Sequence, residues 1–242
     1  MIVTYTDEGW KVITQRAHGI LAAQLAMQWK IKDRPKRWVE TVLAIAEHDD
    51  AETELDGENL LTSTGGPLNF SMKKFDYNHC NKLSCLTVTK SSYIALLTSM
   101  HMDFLYGKEA NTNKEAAKFL SSQNKLQTSL RKRTGINKSQ ANKIYSLVEW
   151  CDAFSLIICQ DDFPPENRLV DISCGPDKTV HQVHKKNEET IVVEPWPFEE
   201  NEFEIYYEYR VIKLIQFKSS ADFRKAFINS IPTEKKWKVC KK

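Results

Sequence analysis

The chain has 242 residues, with 34 Lys plus Arg against 32 Asp plus Glu and a formal net charge of +2. That length allows one domain with an appendage and buries most apolar surface without disulfide staples, while the near balance of charge argues against a nucleic-acid binder driven by bulk charge. No apolar run approaches the ~18 residues of a membrane span and the opening MIVTYTDEGW lacks the basic region and apolar core of a signal peptide, so that six cysteines without a CxxC pair imply a cytoplasmic protein with reduced thiols.

In chain order, residues 2–6 alternate β-branched and aromatic side chains and read as a short strand. Residues 7–30 read as a helix: Trp10, Ile13, Ala17, Leu21 and Leu25 recur mostly at steps of three and four, with Asp7 as the cap. Pro35 opens a second helix, with Trp38, Val42, Ile45 and Ala46 on its apolar face, running out at Asp49 or Asp50. Residues 51–69 are polar, contain Gly57 and the Gly65-Gly66-Pro67 turn, and read as a long loop. Within 84–107 a helix carries Ile94, Leu97, His101, Phe104 and Leu105 on one face. Residues 113–133 form a polar, solvated outer helix ended by Gly135, and 138–159 form the most apolar helix of the chain. Pro164-Pro165 ends the helical part. Strands are expected at 169–173, 179–183, 190–194, 204–210 and 211–217, then a short helix through Phe227 and a closing strand at 237–240.

The expected architecture is therefore mainly α. A helical core spans 1–163, and a small β-rich C-terminal segment, 164–242, packs on it.

The chemistry lies where lone ionisable groups fall on apolar faces. His18 shares a face with Leu21 and Leu25, and Gln15 lies on the same face. His48 and Asp49 end the second helix after an apolar run, and His101 sits between Leu97 and Leu105. Asp152 lies between Val148 and Leu156 with no Lys or Arg within a turn. A buried carboxylate costs several kcal/mol unless it is paired or holds a cation, so Asp152 needs a partner from another segment. A lone His on a helix is usually a hydrogen-bonded core residue, and Asp152 alone is equally well explained by a structural hydrogen bond. The combination of His18, His48, Asp49 and Asp152 on three helices raises the metal reading. Imidazole and carboxylate together suit a divalent ion, with Zn, Mn, Fe, Co and Ni not distinguished.

Other features carry less. His79, Cys80 and Cys85 lack a fourth ligand nearby for a zinc site. His181 and His184 sit among charged residues and read as surface. The Arg131-Lys132-Arg133 run reads as a solvated face or a docking patch for phosphate. Gly65-Gly66 is no P-loop, since no Lys-Ser/Thr follows.

The order H…HD…D, formed by His18, His48-Asp49 and Asp152, resembles the HD-domain superfamily of metal-dependent phosphohydrolases. With Gln15-Arg16-Ala17-His18, Ala46-Glu47-His48-Asp49-Asp50 and Gly66-Pro67-Leu68-Asn69-Phe70, the chain looks like an uncharacterised bacterial family of that superfamily. The resemblance implies an HD-domain-like helical core, with those four residues as ligands of one divalent ion. It also implies a metal-activated water attacking a phosphoester of a nucleotide or small phosphorylated molecule. Asp50 and His101 are then the acid–base candidates, and Gln15, Arg16, Arg131 and Lys132 the substrate-binding ones. A di-iron oxygenase on the same scaffold, or a non-catalytic metal-stabilised interaction protein, are the alternatives.

Overall fold

A computed structural model describes residues 1–49, 55–57 and 59–242 of the protein. The chain opens on a hairpin, Ile2–Thr6 (β1) and Gly9–Ile13 (β2), where local periodicity predicts a helix from Asp7. Trp10 and Ile13 satisfy a helical spacing, but Gly9 decides the outcome. Its φ of +126° is a conformation that side-chain-bearing residues avoid. A Cβ there would lie 2.4 Å from the carbonyl oxygen of Ile212, so only glycine lets β2 lie against that neighbour. The helix begins later: Thr14 accepts from Ala17 N and caps Gln15–Met27 (α1).

The remaining strands are Val170–Cys174 (β3), Val180–Asn187 (β4), Thr190–Glu194 (β5), Glu202–Ile212 (β6) and Pro232–Lys241 (β7). All seven form one sheet in the order β1-β2-β6-β7-β5-β4-β3, antiparallel except for β5 against β7. The expected mainly helical fold with a small β elaboration is therefore incorrect. The N-terminal hairpin pairs with β6, Val12 opposite Arg210 and Trp10 opposite Ile212, so the sheet joins the two ends of the chain. Pairing between strands some 200 residues apart leaves no local periodicity to read. Two local readings also change. β6 stops at Ile212 and does not continue through Phe217. β7 extends well before Trp237, its alternation disguised by lysines; Trp237 and Val239 are its buried positions.

The other helices are Trp38–Ala46 (α2), Tyr77–Lys90 (α3), Ser92–Tyr106 (α4), Lys114–Thr134 (α5), Lys138–Gln160 (α6) and Ser220–Asn229 (α7). α3 has almost no apolar stripe and is defined by its ends: Asp76 accepts from His79 N, and Ser91, which closes α3, accepts from Ile94 N to open α4. The Asn137–Gln140 capping box starts α6, and Asp161 in the left-handed conformation ends it.

α1 and α6 pack on one face of the sheet, in a core that includes Leu21, Leu25, Trp29, Trp150, Phe154, Ile205, Tyr207 and Trp237. The side-chain amide of Gln24 fixes α1 to β6: its Nε2 donates to Tyr206 O at 2.8 Å and its Oε1 accepts from Tyr206 N at 3.0 Å. This pairs a backbone edge that β2 leaves uncovered. His181, expected at the surface, is buried on β4, its ring edge-on to Trp150 at 5.4 Å. Conversely, Phe104 and Leu105 are 55 % and 44 % exposed, although His101 on the same helix is buried. The wide apolar stripe of α4 turns only its first part into the core.

Cleavage near Pro165 tests how the last segment is held. The β2–β6 pairing and the packing of α6 on β3 should keep 164–242 attached to the remainder of the chain until denaturant is added. Release of a stable, folded C-terminal fragment on limited proteolysis would contradict this.

Candidate metal centre

Four helices supply the cluster. His18 comes from the first turn of α1, His48 and Asp49 follow the end of α2, His101 lies on α4 and Asp152 on α6. The close approach of α1 and α2 depends on Gly19, where a Cβ would sit 2.3 Å from the carbonyl oxygen of Ala46. Two backbones can meet there only because the residue after His18 has no side chain. That contact sets the two imidazoles edge to face, with ring centres 4.9 Å apart.

The donor atoms converge. His18 Nε2 lies 3.1 Å from His48 Nε2 and 3.2 Å from Asp152 Oδ1, and His48 Nε2 lies 3.3 Å from the same oxygen. For bonds of ~2.1 Å to a common ion, neighbouring donors stand about 3.0 Å apart at right angles and about 3.4 Å apart at tetrahedral angles. The spacing fits one divalent ion. Asp49 Oδ2 lies 3.6 Å from His48 Nε2, outside the close group formed by His18, His48 and Asp152. His48, Asp49 and His101 form a second group of close donor atoms, with His101 Nε2 3.9 Å from Asp49 Oδ1. His48 belongs to both groups, so the two sets of donors adjoin at its Nε2.

The hydrogen-bond pattern fixes which nitrogen of each ring carries hydrogen. His48 Nδ1 lies 2.7 Å from the Ile45 carbonyl, which can only accept, so Nδ1 is the donor. With the Ser155 hydroxyl hydrogen directed to Asp152 O at 2.9 Å, its oxygen accepts from His18 Nδ1 at 2.7 Å. Both rings therefore hold hydrogen at Nδ1 and present lone pairs at Nε2. Two such lone pairs face each other at 3.1 Å. That arrangement favours a positive charge between them, either a proton or a metal cation. An anchored Nδ1–H and a free Nε2 is the pattern of metal-binding histidines.

The electrostatics agree. Burial works against charge on His48, but the Asp49 and Asp152 carboxylates and the hydrogen bonds to Asp152 and Ile45 outweigh it and push the imidazole up to about 10. Burial likewise disfavours the Asp152 carboxylate, yet the surrounding histidines hold it well below the usual range, and Asp49 is lowered in the same way. His101 shifts down, first through burial and then through the positive field of His48.

The expected ligands thus fall into two adjacent donor groups that share His48: His18, His48 and Asp152 in one, and His48, Asp49 and the acid–base candidate His101 in the other. The other expected site residues are placed differently. Gln15 Nε2 donates to Asp49 Oδ2 at 2.9 Å, so it orients a ligand. Arg16 is exposed on the next position of α1. Arg131 and Lys132 lie in the last turn of α5, a helix that carries none of the cluster, and the Arg131 guanidinium donates to Thr128 Oγ1 one turn back. Asp50 lies outside the described residues. His79, Cys80 and Cys85 share α3 but are half-buried, buried and exposed in turn, and form no donor group.

Sequence reasoning misses three supporting residues. Ser155 anchors His18; its only signal is the step of three from Asp152. Tyr145, about two turns before Asp152 on α6, places its hydroxyl 3.1 Å from His101 Nδ1. Gly19 has no local signature, since its necessity arises from α2.

The profile of a family described as Protein of unknown function (DUF3891) matches residues 1–214, and the chain belongs to that family. No curated protein and no solved structure matches it. This membership and the seven-stranded sheet correct the resemblance to the HD superfamily. Four ligand positions constrain a site and leave the surrounding fold open.

Two measurements follow from this geometry. Gly19→Ala should destabilise the protein by about 1–3 kcal/mol or more through the clash with Ala46, and should lower metal content by spreading His18 from His48. Unchanged denaturant midpoint and metal content would refute the close-approach argument. The second concerns pH. His48 has a raised folded-state pKa, so in chelator-treated protein its contribution to stability is fully present below about 6.5 and lost as pH rises towards about 10. The depressed Asp49 and Asp152 contribute above about 3.9 and lose that contribution as pH falls. A divalent ion needs the His48 lone pair, so its stabilisation should grow with pH over the range in which the ion-free protein weakens. Thermal melts with and without added ion, across pH 6 to 10, check the two opposite slopes.

Proposed function

We propose that this DUF3891 protein is a metal-dependent hydrolase acting on a phosphoester of a nucleotide or another small phosphorylated molecule. The observation that carries the reading is the set of His18, His48 and Asp152 donor atoms 3.1–3.3 Å apart, with both imidazole lone pairs turned inward. A divalent ion bound there supplies a Lewis acid and lowers the pKa of water.

The surrounding residues support a reactive site over a purely structural one. Structural sites are closed, whereas the side chain of Asp49 is 24 % exposed while the three histidines are sealed at 1 % or less. Gln15 holds Asp49 from the side, Ile45 and Ser155 lock the two imidazoles, and Tyr145 orients His101. His101, kept neutral by burial and by His48, can take or return a proton at Nε2 beside Asp49. Arg16, exposed on the same turn as Gln15, is our candidate for neutralising a phosphate. No helix among the described residues is long and apolar enough to cross a membrane. The six cysteines are all free thiols, in keeping with a reducing compartment, and we assign the protein to the cytoplasm on that basis.

A second reading, a two-ion centre of the oxygenase type, is favoured by one feature: Asp49 directs Oδ2 to His48 and Oδ1 to His101, as a bridging carboxylate would. Metal analysis separates the two. One ion per chain, with turnover of p-nitrophenyl phosphate or its diester that is lost on chelation and in Asp152→Asn, is the expected result. His101→Ala should keep the ion and lower kcat by about a hundredfold or more. One bound ion without hydrolysis of any phosphoester would reject the hydrolase, and two irons per chain would favour the oxygenase.

A further inference from the structure

A second cluster of polar groups lies on the helix-facing side of the sheet, away from the metal centre. Lys11 on β2 reaches over Tyr207 and Tyr209 of β6, its Nζ 5.5 and 5.1 Å from the two ring centres. On β7, Lys235 lies directly across from Tyr207 and Trp237 from Ile205, and Lys235 Nζ sits 4.6 Å from the Trp237 ring centre. The end of α6 and Phe163 close the spot, with Phe163 5.7 Å from Trp237.

Almost everything here donates. An ammonium has three N–H donors and no acceptor. Lys11 spends one on the Tyr207 hydroxyl at 3.2 Å and Lys235 spends one on the Glu188 carbonyl at 2.7 Å. Among the described residues, neither has a carboxylate within ion-pair distance. The Tyr207 hydroxyl accepts from Lys11 and keeps its own hydrogen to donate. Trp237 is 2 % exposed, and its Nε1–H lies near that hydroxyl without a hydrogen bond of good geometry. A buried N–H left unpaired is costly and uncommon.

The nearby acidic groups are committed elsewhere. Asp161 and Glu188 both face Lys185, at 3.5 and 2.8 Å. Burial pushes the Cys159 thiol up to about 12, so it stays neutral. Burial also lowers Lys11, and Lys235 and Lys185 lower it further, against the pull of Asp161 and Cys159. An unneutralised, half-buried ammonium beside unspent donors is the environment an anion would complete.

We infer that Lys11, Lys235, Tyr207 and Trp237 form a binding site for a phosphate-class oxyanion. Two ammonium groups match a dianion. Donors arriving from three strands, β2, β6 and β7, match a tetrahedral group better than a planar carboxylate, whose acceptor sites lie in one plane. The site is separate from the metal centre: Cys159 lies seven residues along α6 from Asp152, about 10 Å of helix.

Inorganic phosphate is the probe, titrated calorimetrically into chelator-treated protein against chloride at equal ionic strength, with acetate as the planar control. Saturable phosphate binding, stronger than acetate, is expected. Lys11→Met and Trp237→Phe should each weaken it roughly tenfold or more, and both should leave metal uptake unchanged. Trp237→Phe keeps the ring and loses only the N–H, so a folded variant is available even if Lys11→Met perturbs packing. No saturable binding, acetate bound as well as phosphate, or binding that both variants leave intact would overturn the assignment. Because the titration is done without metal, its failure leaves the hydrolase reading standing, and the loss of hydrolysis would leave this site standing.

Discussion

Two buried imidazole nitrogens face each other 3.1 Å apart beside the Asp152 carboxylate, and with both rings protonated at Nδ1 a cation between them relieves the contact. Much of the molecule serves to hold that conflict in place. The Ile45 carbonyl and Ser155 hydroxyl fix the tautomers from behind. Asp152 supplies negative charge from α6, and Asp49, steadied by Gln15, supplies it from the open side. None of these groups alone is unusual for a protein interior. Together they form an electrostatic arrangement in which a proton or a divalent ion is part of the fold.

That arrangement requires rigid backing, because donors must be placed to a few tenths of an ångström for metal binding. α1 is fixed on two sides. Gly19 lets it touch α2 at Ala46, and Gln24 pairs it with the edge of β6 at Tyr206. α6 carries Asp152 and Ser155 and packs on both α1 and the sheet. The sheet is thus the platform that sets the relative position of the two helices bearing His18 and Asp152. The N-terminal hairpin and the last strand belong to that platform as much as its middle does. Further along the same face, where α6 ends, the sheet carries lysines and aromatic rings, and cation–π contacts and burial there leave donors over within about two helical turns of Asp152.

The candidate ligands were legible in the sequence for a definable reason. A charged or imidazole side chain on an otherwise apolar helical face is costly unless it has a purpose, and that cost is local. His18, His48 and Asp152 each stand out in this way within one or two turns of their own helix. Asp49 follows as the neighbour of His48, and His101 was legible from Leu97 and Leu105, although Leu105 itself turned out exposed. The helices with strong stripes or caps, α5 and α6 above all, were equally clear. Where the residues alone misled, the deciding contact was distant. Trp10 and Ile13 have helical spacing, and only the approach of Ile212 to Gly9 makes that segment a strand. The lysines of β7 hide a central strand whose alternation appears only once Trp237 and Val239 are seen to be buried.

The sequence by itself therefore determined which side chains cannot be left alone in a core, and so named the members of the candidate metal centre. The tertiary structure alone decided that they meet, which nitrogens face inward, and that Gln15 serves a ligand while Arg131 and Lys132 stand apart from the cluster. It also decided the fold class. Burial cost is a property of a residue and its immediate helix, readable from a few neighbours. Strand pairing across some 200 residues, the lack of room for a Cβ at Gly19 and the gathering of unspent donors at Trp237 are properties of pairs of distant segments, and no local pattern records them.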